Sequence, residues 1–225
     1  MKNISKTNSK ITLVELPPTL YGELNGVAGY DVYTSFNLPP RATPVLAGVA
    51  KRDGWDNVEQ INVHSISNNG FDKKTRTEVY NNSDVLGVSA ITRTTPQSLK
   101  LIEEYKQSNP NGIVIAGGMD ASYRTYKWLE SGADIVVMGE GERTFSELMA
   151  RLEKREELDG LEGIAFRDSE GHIKVNDRRR LMSEDELSQL PLPFYDKDTR
   201  KNVNVWAVEQ ERGCPFACEF CLVTQ

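Results

Sequence analysis

Apolar runs of four to six residues recur along the chain at Ile11 to Leu16, Val85 to Ser89, Ile113 to Ala116 and Ile135 to Met138, almost without polar interruption. Runs of this kind predict strands covered on both faces, and hence a parallel sheet. Helical patterns lie between them. Leu99, Ile102 and Tyr105 follow Thr95-Pro96, read as N-cap and first turn, and the segment stops at Asn109-Pro110. Tyr123, Tyr126 and Leu129 mark a second helix ended by Gly132. Phe145, Leu148, Met149 and Leu152 fall at i, i+3, i+4 and i+7 behind a capping box read at Thr144-Phe145-Ser146-Glu147. Strand starts at Val85, Ile113 and Ile135 are 28 and 22 residues apart, room each time for a strand, a turn and a helix returning parallel. Upstream, Pro44 to Lys51 reads as a helix, Val58 to Val63 as a strand and Asp72 to Tyr80 as a weaker helix. Five strands result. The fold class is α/β, a doubly wound, flavodoxin-like parallel sheet.

Past Leu152 the pattern changes. Gly163 to Phe166 and His172 to Val175 flank Asp168-Ser169-Glu170-Gly171, which predicts a β-hairpin, read as an accessory ribbon. Arg178 to Arg180, Glu184 to Glu186 and Pro191-Leu192-Pro193 form a charged, proline-stiffened connector without core periodicity. Val203 to Glu209 reads as a new strand leading into Arg212-Gly213-Cys214. The expected organisation is a doubly wound domain over residues 8–155, a hairpin and linker over 156–195, and the start of another domain over 196–225.

Composition narrows the partners. With 38% hydrophobic and 27% charged residues, the chain is ordinary for a globular protein with a core. A net charge of -6 argues against nucleic acid or an anionic membrane surface as partner. No run approaches the ~20 apolar residues that span a bilayer. Met1 to Lys10 lacks the apolar stretch of a signal peptide, so a cytoplasmic protein is expected.

All three cysteines lie in one short segment, Cys214, Cys218 and Cys221, spaced C-x3-C-x2-C. An odd, clustered set is a poor disulfide scaffold, and soft thiolates suit iron-sulfur or zinc. A structural zinc site needs a fourth ligand, for which only the distant His64 and His172 are available. Three cysteines on a [4Fe-4S] cluster leave one iron open to a small molecule. The alternative is three small apolar residues packed on one helix face, against which Gly213-Cys214-Pro215 argues for a loop. This triplet, with the aromatic Phe220 before its last cysteine, resembles the signature of the radical S-adenosylmethionine (SAM) superfamily. The resemblance implies a [4Fe-4S] cluster on Cys214, Cys218 and Cys221 whose open iron is chelated by SAM. An electron, from a donor such as flavodoxin or ferredoxin, would then cleave SAM to a 5'-deoxyadenosyl radical.

Ser89-Ala90-Ile91 and Gly117-Gly118 close two central strands, where a doubly wound sheet has its ligand crevice. Small residues there let a bulky ligand approach the backbone. Together with Leu16-Pro17-Pro18, Pro39-Pro40, Pro44 and Gly139-Glu140-Gly141-Glu142, they resemble the cobalamin-binding domain that precedes the barrel in B12-dependent radical SAM proteins. The resemblance implies that residues 8–155 bind cobalamin, with Ser89, Gly117 and Gly118 walling its nucleotide tail. Ala90, Ile91, Gly139, Glu140 and Gly141 complete the implied cofactor-binding set. By themselves the glycine turns read equally well as strand-to-helix connections, and the carboxylates of Glu140 and Glu142 weigh against a phosphate cradle. The Asp-x-His-x-x-Gly segment of cobalamin-binding domains is missing, since Leu16 to Gly29 holds no histidine. Cobalt would then lack a protein imidazole on its lower face; a domain without cofactor is the alternative. The glycine- and tyrosine-bearing stretch Thr19 to Leu38 is long enough for a lid.

A (β/α) barrel takes ~250 residues, whereas 11 follow Cys214. The expectation is therefore a truncated barrel start, no catalytic residue in this chain, and no activity from the chain alone. The functional expectation is the N-terminal part of a cobalamin-dependent radical SAM enzyme acting on a small molecule, by radical chemistry such as methyl transfer. The competing reading is a corrinoid-binding or ligand-free module with vestigial cysteines.

Overall fold

The computed structural model describes residues 2–16, 40–61, 66–67, 70–71, 73–203, 206, 209, 212–213, 216 and 218–219. Its elements run β1 (Ile11–Glu15), α1 (Ala42–Arg52), β2 (Val58–Ile61), a small ribbon of β3 (Ile66–Ser67) and β4 (Gly70–Phe71), and α2 (Lys73–Asn82). There follow β5 (Val85–Ser89), α3 (Thr95–Ser108), β6 (Ile113–Gly117), α4 (Met119–Tyr123), α5 (Thr125–Glu130), β7 (Ile135–Val137) and α6 (Gly141–Lys154). The chain continues through β8 (Ile164–Arg167), β9 (Ile173–Val175), α7 (Glu184–Ser188) and α8 (Lys197–Asn202).

The main sheet has the order β2-β1-β5-β6-β7-β8-β9. Its first five members are parallel, and β8 and β9 are each antiparallel to the strand before. The parallel part thus has the flavodoxin-like order, whose direction of winding reverses between β1 and β5. Alternation of side chains sends Val14, Leu86, Val88, Val114, Ala116 and Val136 to one face, against Leu101, Ile102 and Tyr105 of α3 and Trp128 and Leu129 of α5. The other face carries Ile11, Leu13, Val85, Ile113, Ile115, Ile135 and Val137 against α1 and the Phe145, Leu148, Met149, Leu152 stripe of α6. Burial on both faces is why the strands are continuously apolar. Among the described residues no helix is long and apolar enough to cross a membrane.

Four local expectations are corrected. α6 begins at Gly141 with Glu140 at its N-cap, so Thr144 lies in the first turn, buried and with its hydroxyl unpartnered among the described residues. A true capping box instead joins Ser183 and Glu186 at α7. α3 takes Thr95 as its first residue, and the N-cap is Thr94. The helix read over Tyr123 to Leu129 is two, because Arg124 (φ -114°, ψ 39°) leaves helical geometry; Trp128 takes the buried place and Tyr126 is exposed. The hairpin is no separate ribbon: β8 pairs with β7 and carries the main sheet two strands further.

The proline-rich connector lies against α1. The Phe194 N–H donates to the Pro44 carbonyl at 2.9 Å, and Lys51 stands 4.4 Å from the centre of the Phe194 ring. A Cβ on Gly48 would come within 2.5 Å of the Leu192 carbonyl oxygen, so this approach needs glycine in α1. The strand expected over Val203 to Glu209 falls largely outside the described residues, as do most of Leu16 to Leu38 and all of His64.

Candidate cofactor site

In the sheet register Ser89 stands beside Glu15 on one side and Gly117 on the other. The three form a row at the carboxyl edge of β1, β5 and β6. By alternation they share the α1/α6 face with Leu13, Gly87 and Ile115, the row beneath. That lower row is filled: a Cβ on Gly87 would lie 2.6 Å from Leu13 Cδ2, so Leu13 occupies the space glycine leaves. Among the described residues the upper row is open: a Cβ on Gly117 would meet none of them nearer than the Val137 carbonyl oxygen at 3.8 Å. Ser89 and Gly117 are half-buried, and the Ser89 hydroxyl has no hydrogen-bond partner among the described residues. Gly141 of α6 stands between Leu46 of α1 and Val137, where an added Cβ would sit 3.7 and 3.8 Å from them.

The loops above this row are tied together. Gly118 has φ 88° and ψ 178°, a region that is essentially restricted to glycine. A Cβ there would stand 2.5 Å from Ala90 O, 2.8 Å from Ala90 N and 3.1 Å from Ser89 Oγ. The Ala90 N–H donates to Gly117 O at 3.0 Å, and Asp120 N–H to Ala90 O at 3.3 Å. Thr94 Oγ1 accepts from Ile91 N–H at 3.1 Å and donates to Ile91 O, which fixes the loop after β5. Ser122 Oγ donates to Gly118 O at 2.9 Å and accepts from Gly139 N–H at 3.0 Å, so one hydroxyl joins the loops after β6 and β7. Asp120 is buried beneath, accepting from Trp128 Nε1 at 2.9 Å and from Arg124. Burial raises the Asp120 carboxyl, but the hydrogen bonds from Arg124, Trp128 and Thr95 together hold it below its ordinary value. Ile91 and Met119 are left 49% and 48% exposed at the rim.

Three acidic residues are accounted for by the fold. Glu15 accepts from the N–H groups of Ala42 and Arg41, at 3.1 and 3.2 Å, at the start of α1. Burial pushes its carboxyl up from the ordinary range, against those donors. At the end of β7, Glu140 accepts from Met182 N–H at 2.6 Å, and Glu142, 7% exposed, pairs with Arg212 at 2.7 Å.

The structure therefore brings together Ser89, Ala90, Ile91, Gly117 and Gly118, with Gly139, Glu140 and Gly141 one strand further on. Sequence reading passed over Glu15, Met119, Asp120 and Ser122. Glu15, a charge ending an apolar run, was a usable signal; Ser122 offered none. Cys218 is exposed and carries a free thiol, and Cys214 and Cys221 lie outside the described residues. Among the described residues no group of three or more His, Cys, Asp or Glu is placed to hold a metal. His172 is in the β8–β9 turn. That turn lies at the amino edge, since β8 runs antiparallel and Arg167 N–H bonds Asp134 O just before β7. It cannot serve the carboxyl edge. A hollow of about 560 Å³ also lies at the amino edge, lined by Lys2, Lys106, Gly112 and Asp134. Its Lys106 is engaged by Asp134 at 2.6 Å, and the hollow lies at the opposite end of the strands from the Ser89 row.

Residues 31–149 match the B12 binding domain. This chain belongs to the B12-binding domain family. It is 31% identical over 145 residues, 61% of this chain and 31% of the relative, to an uncharacterized methyltransferase of Pyrococcus horikoshii. It is 27% identical over 150 residues to the cobalamin-dependent radical SAM methyltransferase TokK of Streptomyces tokunonensis, covering 61% of this chain and 22% of TokK. Among solved structures, the cobalamin-dependent S-adenosylmethionine radical enzyme OxsB, with aqua-cobalamin and S-adenosylmethionine bound, shares the fold. Its TM-score is 0.68 at 21% identity, over 95% of this chain and 28% of that one. The chain spans about a third of the length of the curated relatives it matches. The B12-binding domain thus carries its open row at the carboxyl edge, next to the point where the winding reverses. The residues fit a corrinoid: among the described residues the Ser89 hydroxyl is unpartnered and Gly117 is uncovered, and the exposed side chains of Ile91 and Met119 flank them.

Proposed function

We propose that this chain is the N-terminal part of a cytoplasmic, cobalamin-dependent radical SAM enzyme. Cys214, Cys218 and Cys221 would hold a [4Fe-4S] cluster that binds SAM, and the chemistry would be of the methyl-transfer type on a small-molecule substrate. An electron donor such as flavodoxin or ferredoxin would serve the cluster. The observation that carries the reading is the Ser89–Gly117 row, open among the described residues and bordered by cross-tied loops, within a B12-binding domain. When bound, cobalamin supplies a cobalt able to carry a methyl group. The chain's own part is positional. Ser89 offers a hydroxyl to the tail, Gly117 leaves room for it, and Gly118 lets the two loops close to contact. Gly139 to Gly141 border the slot on the β7 side, and Ile91 and Met119 present apolar surface that a corrin ring would cover and shield from water.

Reconstitution with iron and sulfide in the absence of oxygen tests the cluster. The expected result is about four iron per chain, lost in Cys218→Ala with the domain still folded. Metal-free protein with an intact fold would instead favour a corrinoid-binding or ligand-free module with vestigial cysteines.

A further inference from the structure

We infer that Arg212 is a positioning residue that fastens the chain entering the cysteine motif to the cofactor edge of the B12-binding domain, with Glu142 as its seat. Arg212 Nη2 is 2.7 Å from Glu142 Oε1, Nη1 is 3.6 Å from Glu140 Oε1, and Nε is 3.0 Å from Glu209 Oε2. The pair with Glu142 is largely removed from water: their side chains are 22% and 9% exposed. Burial weighs against the Arg212 charge, but Glu142 and Glu209 outweigh it and raise the guanidinium above its ordinary value. Glu142 sits in the first turn of α6, where the helix dipole favours a carboxylate. Salt screens a pair held this way less than an exposed one, and removing one partner leaves the other charge buried without its counter-charge.

Two consequences set the geometry. Covalent dimensions keep any residue two positions along the chain within about 7 Å of the anchored Cα, and Cys214 is two positions beyond Arg212. The seat is also continuous with the slot: Gly118 O is bonded to Ser122 Oγ, Ser122 Oγ to Gly139 N–H, and Gly139 directly precedes Glu140. Arg212 therefore links the cofactor loops to the start of the cysteine segment. What is being positioned rests on the proposed cluster; the latch itself does not.

The test uses the metal-free chain, so its failure is separate from that of the cluster. Arg212→Ala should speed amide exchange over residues 209–219 by about tenfold, leaving β5 and β6 protected as before. Glu142→Gln, which keeps the shape of the seat, should do the same, the double variant should be no faster than either, and Arg212→Lys should restore part of the protection. In a Cys214→Ser, Cys221→Ser background, a spin label on Cys218 paired with one at Glu103→Cys should give a narrow distance distribution that Arg212→Ala broadens. Unchanged exchange and an unchanged distribution in both single variants, or additive effects in the double, would overturn the assignment.

Discussion

Gly117→Leu is expected to leave the B12-binding domain folded and to cost about a hundredfold in affinity for hydroxocobalamin. The reasoning is steric. Among the described residues the nearest atom to a Cβ at this position is 3.8 Å away, so the branch can be accommodated by the protein itself, but only by growing into the row beside Ser89. Forcing extra methylenes into a filled site costs about 1–3 kcal/mol, which at the upper end is roughly a hundredfold in a binding constant. Gly117→Ala should fall between the two, since one methyl fits. Titration followed by the corrin absorbance, beside thermal unfolding of the same samples, separates the effects. Equal affinity in the leucine variant would place the tail elsewhere.

Gly118→Ala should fail in the opposite way, through the fold. Its φ of 88° and ψ of 178° cost a side-chain-bearing residue of order 1–3 kcal/mol. The added Cβ would sit 2.5 Å from Ala90 O and 2.8 Å from Ala90 N, backbone atoms that cannot swing aside. Overpacking adds about 1–3 kcal/mol, so the loss is roughly 2–6 kcal/mol. For a chain of this size that lowers Tm by about 10 °C, and it separates the loops after β5 and β6 that the hydrogen bond from Ala90 to Gly117 joins. Calorimetry showing an unchanged Tm would contradict the close approach. Adjacent glycines thus divide the work: one leaves space for a ligand, the other lets two loops touch.

The sheet was legible because strands covered on both faces leave no polar alternation to interpret. Val85 to Ser89 and Ile113 to Gly117 stand out from the chain, and crossover lengths of 28 and 22 residues between strand starts leave one economical way to connect them. The glycines and Ser89 were legible as a site for the same reason, since strand ends are where the crevice falls. Helix starts were not. Thr144 and Glu147 have capping spacing, yet α6 extends a turn upstream because Gly141 and Glu142 are themselves compatible with a first turn and bury against α1 and Arg212. The break at Arg124 arises where Asp120 draws back both Arg124 and Trp128, a tertiary arrangement with no local signature. The destination of the hairpin depended on β7 having a free edge. The partner of Glu140 and Glu142 was not legible, because their counter-charge lies some seventy residues on, at Arg212.

The central claim is that the carboxyl edge of β5, β6 and β7 holds a corrinoid. Amide hydrogen exchange of the 225-residue chain, with and without saturating hydroxocobalamin, tests it most directly. The account predicts slowed exchange at residues 89–91, 117–119 and 139–141, with no change at Asn109 to Gly112 or Asp134 on the amino edge. Protection confined to the amino edge, or none at either edge, would contradict it.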